Sequence, residues 1–264
     1  MIDQAAELRR LMLTGRADSA GSLPRTFVVS GGKPGVGATT LAVNLAATLA
    51  HDAQRVVLID ADLQQADVAA QCGLFPSLGI ADVLAGRKNI HETLVRGPAG
   101  MQVLPGASTD EARANATPRN VGRLLRQIQS VAPHADWVLI DAGSDPGELT
   151  ARLWSAAEHV LLVTSPEAAA VMDTYALVKT LLKRQSLSGP LALVVNQAAD
   201  EAEADDVCRR IDQSCRRFLG LSVPLAGWLP AADDAAPLAT AVGKVAEFVV
   251  HAHRAATAPR RLAA

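Results

Sequence analysis

The sequence predicts an α/β fold: a mostly parallel twisted sheet with helices on both faces. Three observations predict it. Short apolar runs that read as buried strands alternate with helical stretches from residue 26 onward. A glycine-rich segment, Ser30 to Thr40, separates the first of these runs from the first long helical stretch. Acidic residues stand directly after the second and fourth runs, at Asp60, Asp62 and Asp141, where strand-end loops of a parallel sheet share one rim.

Residues 1–13 precede this pattern and read as a short helix, with Ala5, Leu8, Leu11 and Met12 on one side and Asp3, Gln4, Glu7, Arg9 and Arg10 offering polar contacts. A dozen amphipathic residues are marginal as a free helix, so the segment reads either as a docking helix or as a frayed extension. Residues 14–25, rich in Gly, Ser and Ala and ending after Pro24, read as a flexible linker. The main domain is expected over 26–256 and a tail over 257–264.

The strand-like runs are Phe27-Val28-Val29, Val56 to Ile59, Val103-Leu104, Trp137 to Ile140, Val160 to Val163 and Leu191 to Val195. The segment after the first run has the form G-x-x-x-x-G-x-[ST], with Ala38 where a lysine is expected. Gly35 and Gly37 let the backbone turn its N–H groups towards one point, and the positive end of the following helix favours an anion there. Thr39 is positioned to offer its hydroxyl to Mg²⁺. A lysine would add a point charge on the phosphates that alanine cannot supply, and Pro34 removes one main-chain donor. A lone pattern of this kind recurs by chance as a plain strand-to-helix turn. Here the carboxylates at neighbouring strand ends, costly in an apolar setting unless capped, paired or liganded, favour a Mg–nucleotide site.

Composition narrows the classes. The 264 residues are 49% hydrophobic and 3% aromatic, with net charge −2. That suits one α/β domain with a large core and gives neither a global basic field nor a stacking platform for nucleic acid. Cys72, Cys208 and Cys215 have no metal-ligand spacing. No run is long and apolar enough for a membrane span and no secretory leader is seen, so a cytoplasmic protein is expected.

Taken together these motifs resemble the MinD/ParA class of deviant-Walker P-loop ATPases, and within it the FlhG (FleN/YlxH) type of flagellar regulator. The likeness covers nearly the whole chain. The family's G-G-K-G-G-V-G-K-[ST] loop aligns with Gly31 to Thr39, which implies an ATP site formed by Gly32, Lys33, Gly35, Val36, Gly37, Ala38, Thr39 and Thr40. Lys33 matches the signature lysine that reaches the facing subunit's ATP, which implies an ATP-dependent homodimer. By the same likeness Asp62 orients the attacking water, Asp60 sits near the metal's water shell and Asp141 holds Mg²⁺ through water. Asn196 would read the adenine, and Pro230, in Gly227-Trp228-Leu229-Pro230, would lie along the nucleotide. The chain departs from the family at Pro34, Ala38 and Gln64-Gln65 and in the loop Asp141 to Gly147.

Asp3-Gln4-Ala5-Ala6-Glu7-Leu8-Arg9 matches the D-Q-A-x-x-L-R motif with which FlhG-type proteins bind the signal-recognition-type GTPase FlhF. That implies partner contacts through Asp3, Gln4, Leu8, Arg9 and Met12, and a role with flagellar basal-body components. The tail Ala258 to Ala264 has one bulky apolar residue, Leu262, so membrane binding is expected to be weak or absent, with any peripheral association at the inner face of the membrane or the cell pole. Three readings stay open at the sequence level: an FlhG-like ATP-binding regulator with slow hydrolysis, a catalytically dead interaction module, and a ParA-like partitioning ATPase. The last needs a basic surface, and the helix bearing Arg209, Arg210, Arg216 and Arg217 follows the acidic stretch 200–206.

Overall fold

Valine, leucine and isoleucine on both sides of each strand require cover on both sides of the sheet, and the computed structural model supplies it. It describes residues 26–184, 187–231 and 235–257. In chain order these form β1 (Thr26–Gly31), α1 (Ala38–His51), β2 (Val56–Asp60), α2 (Val68–Gln71), α3 (Ile80–Ala85), α4 (Ile90–Thr93), β3 (Val95–Arg96) and β4 (Gln102–Leu104). There follow α5 (Asp110–Asn115), α6 (Pro118–Val131), β5 (Trp137–Asp141), α7 (Glu148–Ala156), β6 (His159–Thr164), α8 (Ala168–Arg184), β7 (Leu191–Ala198), α9 (Glu201–Leu219), β8 (Leu225–Pro230) and α10 (Ala235–Thr257). The segment 1–25 and the tail 258–264, with the expected partner residues Asp3, Gln4, Leu8, Arg9 and Met12, lie outside the described residues.

The sheet has eight strands in the order β3-β4-β2-β5-β1-β6-β7-β8. All neighbours pair in parallel except the short antiparallel pair β3 and β4. Strand order therefore reverses at β1, which lies between β5 and β6, and the crevice beyond its carboxyl end is where such sheets hold ligands.

Strand periodicity divides the core in two. Val28, Val57, Ile59, Val138, Ile140, Val160 and Leu162 face one way, against Val121, Leu124 and Ile128 of α6, Trp154 of α7, Val178 of α8 and Ile211 of α9. Their alternates Phe27, Val29, Leu58, Leu139, Leu161 and Val163 face α1, through Leu41, Leu45 and Leu49, and α10, through Val242, Val245 and Val249. A one-residue slip of any central strand would exchange the two sets. Trp154 Nε1 donates to Ser30 Oγ at 2.9 Å, so the buried indole both fills the core and fixes the end of β1 beneath the glycine loop.

Two strands escape the simple reading. β3 has two residues, neither buried, and β8 carries Gly227 and Pro230 within a weak alternation. Among the described residues, no helix is long and apolar enough to cross a membrane.

Candidate functional site

The chain leaves β1 at Gly31, turns through residues 32–37 and enters α1. The turn depends on glycine at two points for different reasons. At Gly32 a methyl group would lie 2.0 Å from Thr174 Oγ1, so α8 can pack directly on the loop only with hydrogen there. Gly37 has φ +90°, and a methyl group would come within 2.2 Å of the Asn196 amide nitrogen. Gly37 is also the N-cap of α1, where no side chain accepts from the first-turn N–H groups and the first turn holds no acidic residue. Some other helices are capped by a side chain, with Thr109 accepting from Ala112 N in α5 and Asp200 from Glu203 N in α9, whereas α2 and α7 share the lack of one with α1. The open donors of α1 are left facing a cleft, as an anion requires.

That cleft has a volume of about 300 Å³ and is walled by Lys33 and Gly35 to Thr40 on one side, by Asp62, Gln65, Asp67 and Gln71 on another, and by Gly143 and Ser144. Pro34 stands exposed at its rim and does not fill it. The Ala38 methyl is 8% exposed and packs into the core while still lining the cleft.

Two carboxylates, Asp60 and Asp141, stand behind the cleft, and a third, Asp62, lies in its wall. Asp60 and Asp141 end β2 and β5 at paired register positions and are fully buried. Burial first, and Asp141 second, push the Asp60 carboxyl up to about 8, against the Asp62 and Val68 N–H groups that donate to it at 3.2 Å each. Burial likewise pushes Asp141 up to about 6, against the pull of the Thr39 hydroxyl and the Gly143 N–H. Asp141 Oδ2 is buried without a hydrogen-bond partner among the described residues. A buried carboxylate with one unpartnered oxygen, on a residue that also interacts with the cleft-lining Thr39 hydroxyl, offers hard-oxygen donors that fit Mg²⁺. A cation there offsets the repulsion between Asp60 and Asp141.

Asp62 is 7% exposed and accepts from the Gln64 and Gln65 N–H groups at 2.8 and 3.0 Å. It therefore shapes the loop that carries Gln64-Gln65 while its other oxygen lies over Gly143. Gly31 N donates to Gly143 O at 3.0 Å, tying the two cleft walls together.

Lys33 forms an ion pair with Glu167, just before α8. Asn196 donates from its amide nitrogen to Val36 O at 2.8 Å and accepts from Gln197 N at 2.9 Å, so it braces the glycine loop from behind. Pro230 ends β8 beside Ala198 and does not line the cleft. The sequence reading thus converges on the loop residues, Asp62, Asp60 and Asp141, whereas Asn196 and Pro230 lie apart from the phosphate end. It missed Gln65, Asp67, Gln71, Ser144, Thr174 and Glu167. Gln65 and Asp67 precede α2, whose four residues are too few for periodicity to mark a cleft-facing side, and the Lys33–Glu167 pair spans 134 positions.

Comparison with known proteins agrees with this fold. A family model described as an AAA domain matches residues 24–189. The antiactivator FleN of Pseudomonas aeruginosa is 32% identical over 206 residues, 78% of this chain and 73% of FleN. The flagellum site-determining protein YlxH of Helicobacter pylori is 26% identical over 185 residues, 70% of this chain and 62% of YlxH. Among solved structures, the septum site-determining protein MinD of Pyrococcus horikoshii, complexed with Mg-ADP, superposes with a TM-score of 0.68 at 25% identity, covering 86% of this chain and 96% of MinD. On these grounds the chain belongs to the MinD/ParA-type P-loop ATPase family and, within it, is most like the FlhG (FleN/YlxH) group.

Proposed function

We propose that this protein is an FlhG-like, MinD-type ATP-binding regulator of flagellar number or placement, whose ATP hydrolysis is slowed by the alanine at position 38. The observation that carries the nucleotide reading is the buried Asp141, which has one unpartnered oxygen and interacts with Thr39, a residue lining the cleft into which the uncapped first turn of α1 opens. Likeness to FleN and YlxH supports the flagellar role.

In this reading the main-chain N–H groups of residues 35–40 hold the phosphates, and Thr39 and Asp141 hold Mg²⁺ with Asp60 behind them. The metal, when bound, supplies the positive charge that phosphates and carboxylates share. Asp62 holds the attacking water, and its two backbone hydrogen bonds keep it in one rotamer for that task. Lys33, once parted from Glu167, serves the facing subunit of a homodimer. Asn196 keeps the glycine loop in shape and turns its remaining N–H towards the base, near Pro230.

The partner side rests on residues 3–12. An FlhF-type GTPase is expected to hydrolyse GTP at least about tenfold faster with the full chain present, and the gain is expected to vanish with Gln4→Ala or with residues 2–13 deleted. No stimulation by the intact chain would remove FlhF from the proposal. The protein would act in the cytoplasm, in contact with basal-body components at the inner face of the membrane or the cell pole.

A second reading, a catalytically dead interaction module whose nucleotide site is structural or empty, is favoured by Ala38, Pro34 and Gln64-Gln65. Phosphate release assayed with and without the GTPase separates the two. The partitioning reading needs a basic surface, and on α9 the exposed Arg209 and Arg216 are interleaved with the acidic Asp206 and Asp212, with which they pair at 3.1 and 2.6 Å.

A further inference from the structure

A second groove, of about 450 Å³, opens at the opposite pole of the sheet, where the strands begin. Leu49, Trp137 and Val250 give it an apolar floor, and Asp52, His253 and Arg254 stand at its edge. Its wall is firmly built. The Trp137 ring meets Phe27 at 5.8 Å between centroids and His253 edge-on at 5.2 Å, and His253 Nδ1 lies 2.8 Å from Glu158 Oε1.

The described chain begins close to this groove. Thr26, the first residue of β1, pairs with Val138, the neighbour of Trp137, and its carbonyl accepts from Glu158 N at 3.0 Å. Residues 1–25 therefore join the domain beside the groove. A linker of residues 14–25 reaches up to about 40 Å when extended, which spans the groove with slack. A tether of that length holds residues 2–13 at an effective concentration of about a millimolar, so a weak contact is enough to keep them docked. The groove is too small for a whole helix but takes two or three side chains, and Leu8, Leu11 and Met12 recur at the spacing of one helical side. Of the charged residues at the groove's edge, Asp52 is the acidic partner available to Arg9 or Arg10, while Arg254 carries their own sign, so the contact rests on the apolar side chains.

We propose that residues 2–13 of this same chain dock in the groove formed by Leu49, Trp137 and Val250, with Leu8, Leu11 and Met12 as the buried contacts. Docked, the segment keeps its apolar side from any outside partner, so a partner must win it from the groove. The docking stands or falls independently of whether that partner is a GTPase.

Hydrogen exchange of the full chain, of the Leu8→Asp/Leu11→Asp variant and of a chain lacking residues 2–13 tests this, each at two protein concentrations. Amides of residues 49–54 and 250–254 are expected to exchange about tenfold faster in both altered chains. Residues 205–217, on the far face, should be unchanged, and the full chain's protection should not depend on concentration. Equal exchange in all three chains would overturn the proposal. Protection that grows with concentration would overturn it too, because a second copy would then be the occupant.

Discussion

Replacing Ala38 by lysine is expected to tighten Mg–ATP binding about 10- to 100-fold and to raise the rate of phosphate release. Ala38 opens α1 and its methyl lines the cleft, so a lysine stem starting there can run along the phosphate side of the loop. Its ammonium would add a charge-assisted hydrogen bond, which contributes about 1.5–3 kcal/mol, or about one to two decades in affinity. The rest of the loop is already formed: Gly37 has the required left-handed backbone, Gly32 fits against Thr174, and Asn196 braces Val36. The gain therefore needs a change only at position 38, where the lysine stem must leave the core contact that the alanine methyl makes. Titration of a fluorescent ATP analogue into both chains measures it, and equal affinities would mean that the loop does not hold phosphates in this protein.

The opposite change, Asp141→Asn, is expected to abolish the stabilisation of the protein by Mg–ATP while leaving the ligand-free protein as stable or more so. Saturation at about 100 times Kd contributes about 2.7 kcal/mol. At about 2–4 °C per kcal/mol for a domain of this size, the unaltered chain should gain about 5–10 °C in Tm. The variant should gain none, because Asp141 supplies the orphaned oxygen and interacts with Thr39. Without ligand, Asp141 is a buried carboxylate next to Asp60, and both are held in an apolar setting at a cost. Removing one charge relieves that cost, and a rise of a few degrees in the ligand-free Tm is expected. Scanning calorimetry with and without Mg–ATP reads both numbers. A ligand-free variant that melts far lower, with the ligand shift retained, would assign Asp141 a purely structural role.

Much of this site can be read along the chain because its parts are local. The loop glycines lie within a few residues of one another, and Asp60, Asp62 and Asp141 follow runs whose two-sided hydrophobicity marks them as inner strands. The alternation Val28 against Phe27 and Val29 also foretells the division of the core between the two faces of the sheet. What the chain hides is non-local. Asn196 reaches Val36 across 160 positions and Lys33 reaches Glu167 across 134, and no periodicity encodes either meeting. β8 was legible only as a motif, since a strand at the sheet's edge with Gly227 and Pro230 in it needs less hydrophobic patterning than an inner one. The uncapped first turn of α1 is a different kind of signal. It is an absence of Ser, Thr, Asp or Asn at position 37, which gains meaning only once the cleft in front of it is known.

Calorimetric titration of the unaltered protein with a non-hydrolysable ATP analogue, in Mg²⁺ and again in EDTA, tests the central claim most directly. Micromolar binding in Mg²⁺ that weakens at least about tenfold in EDTA is the expected result, with the loop amides, Thr39 and the strand-end carboxylates gripping a metal–triphosphate without the customary lysine. Equal affinity in the two buffers, or no binding at millimolar analogue, would contradict it.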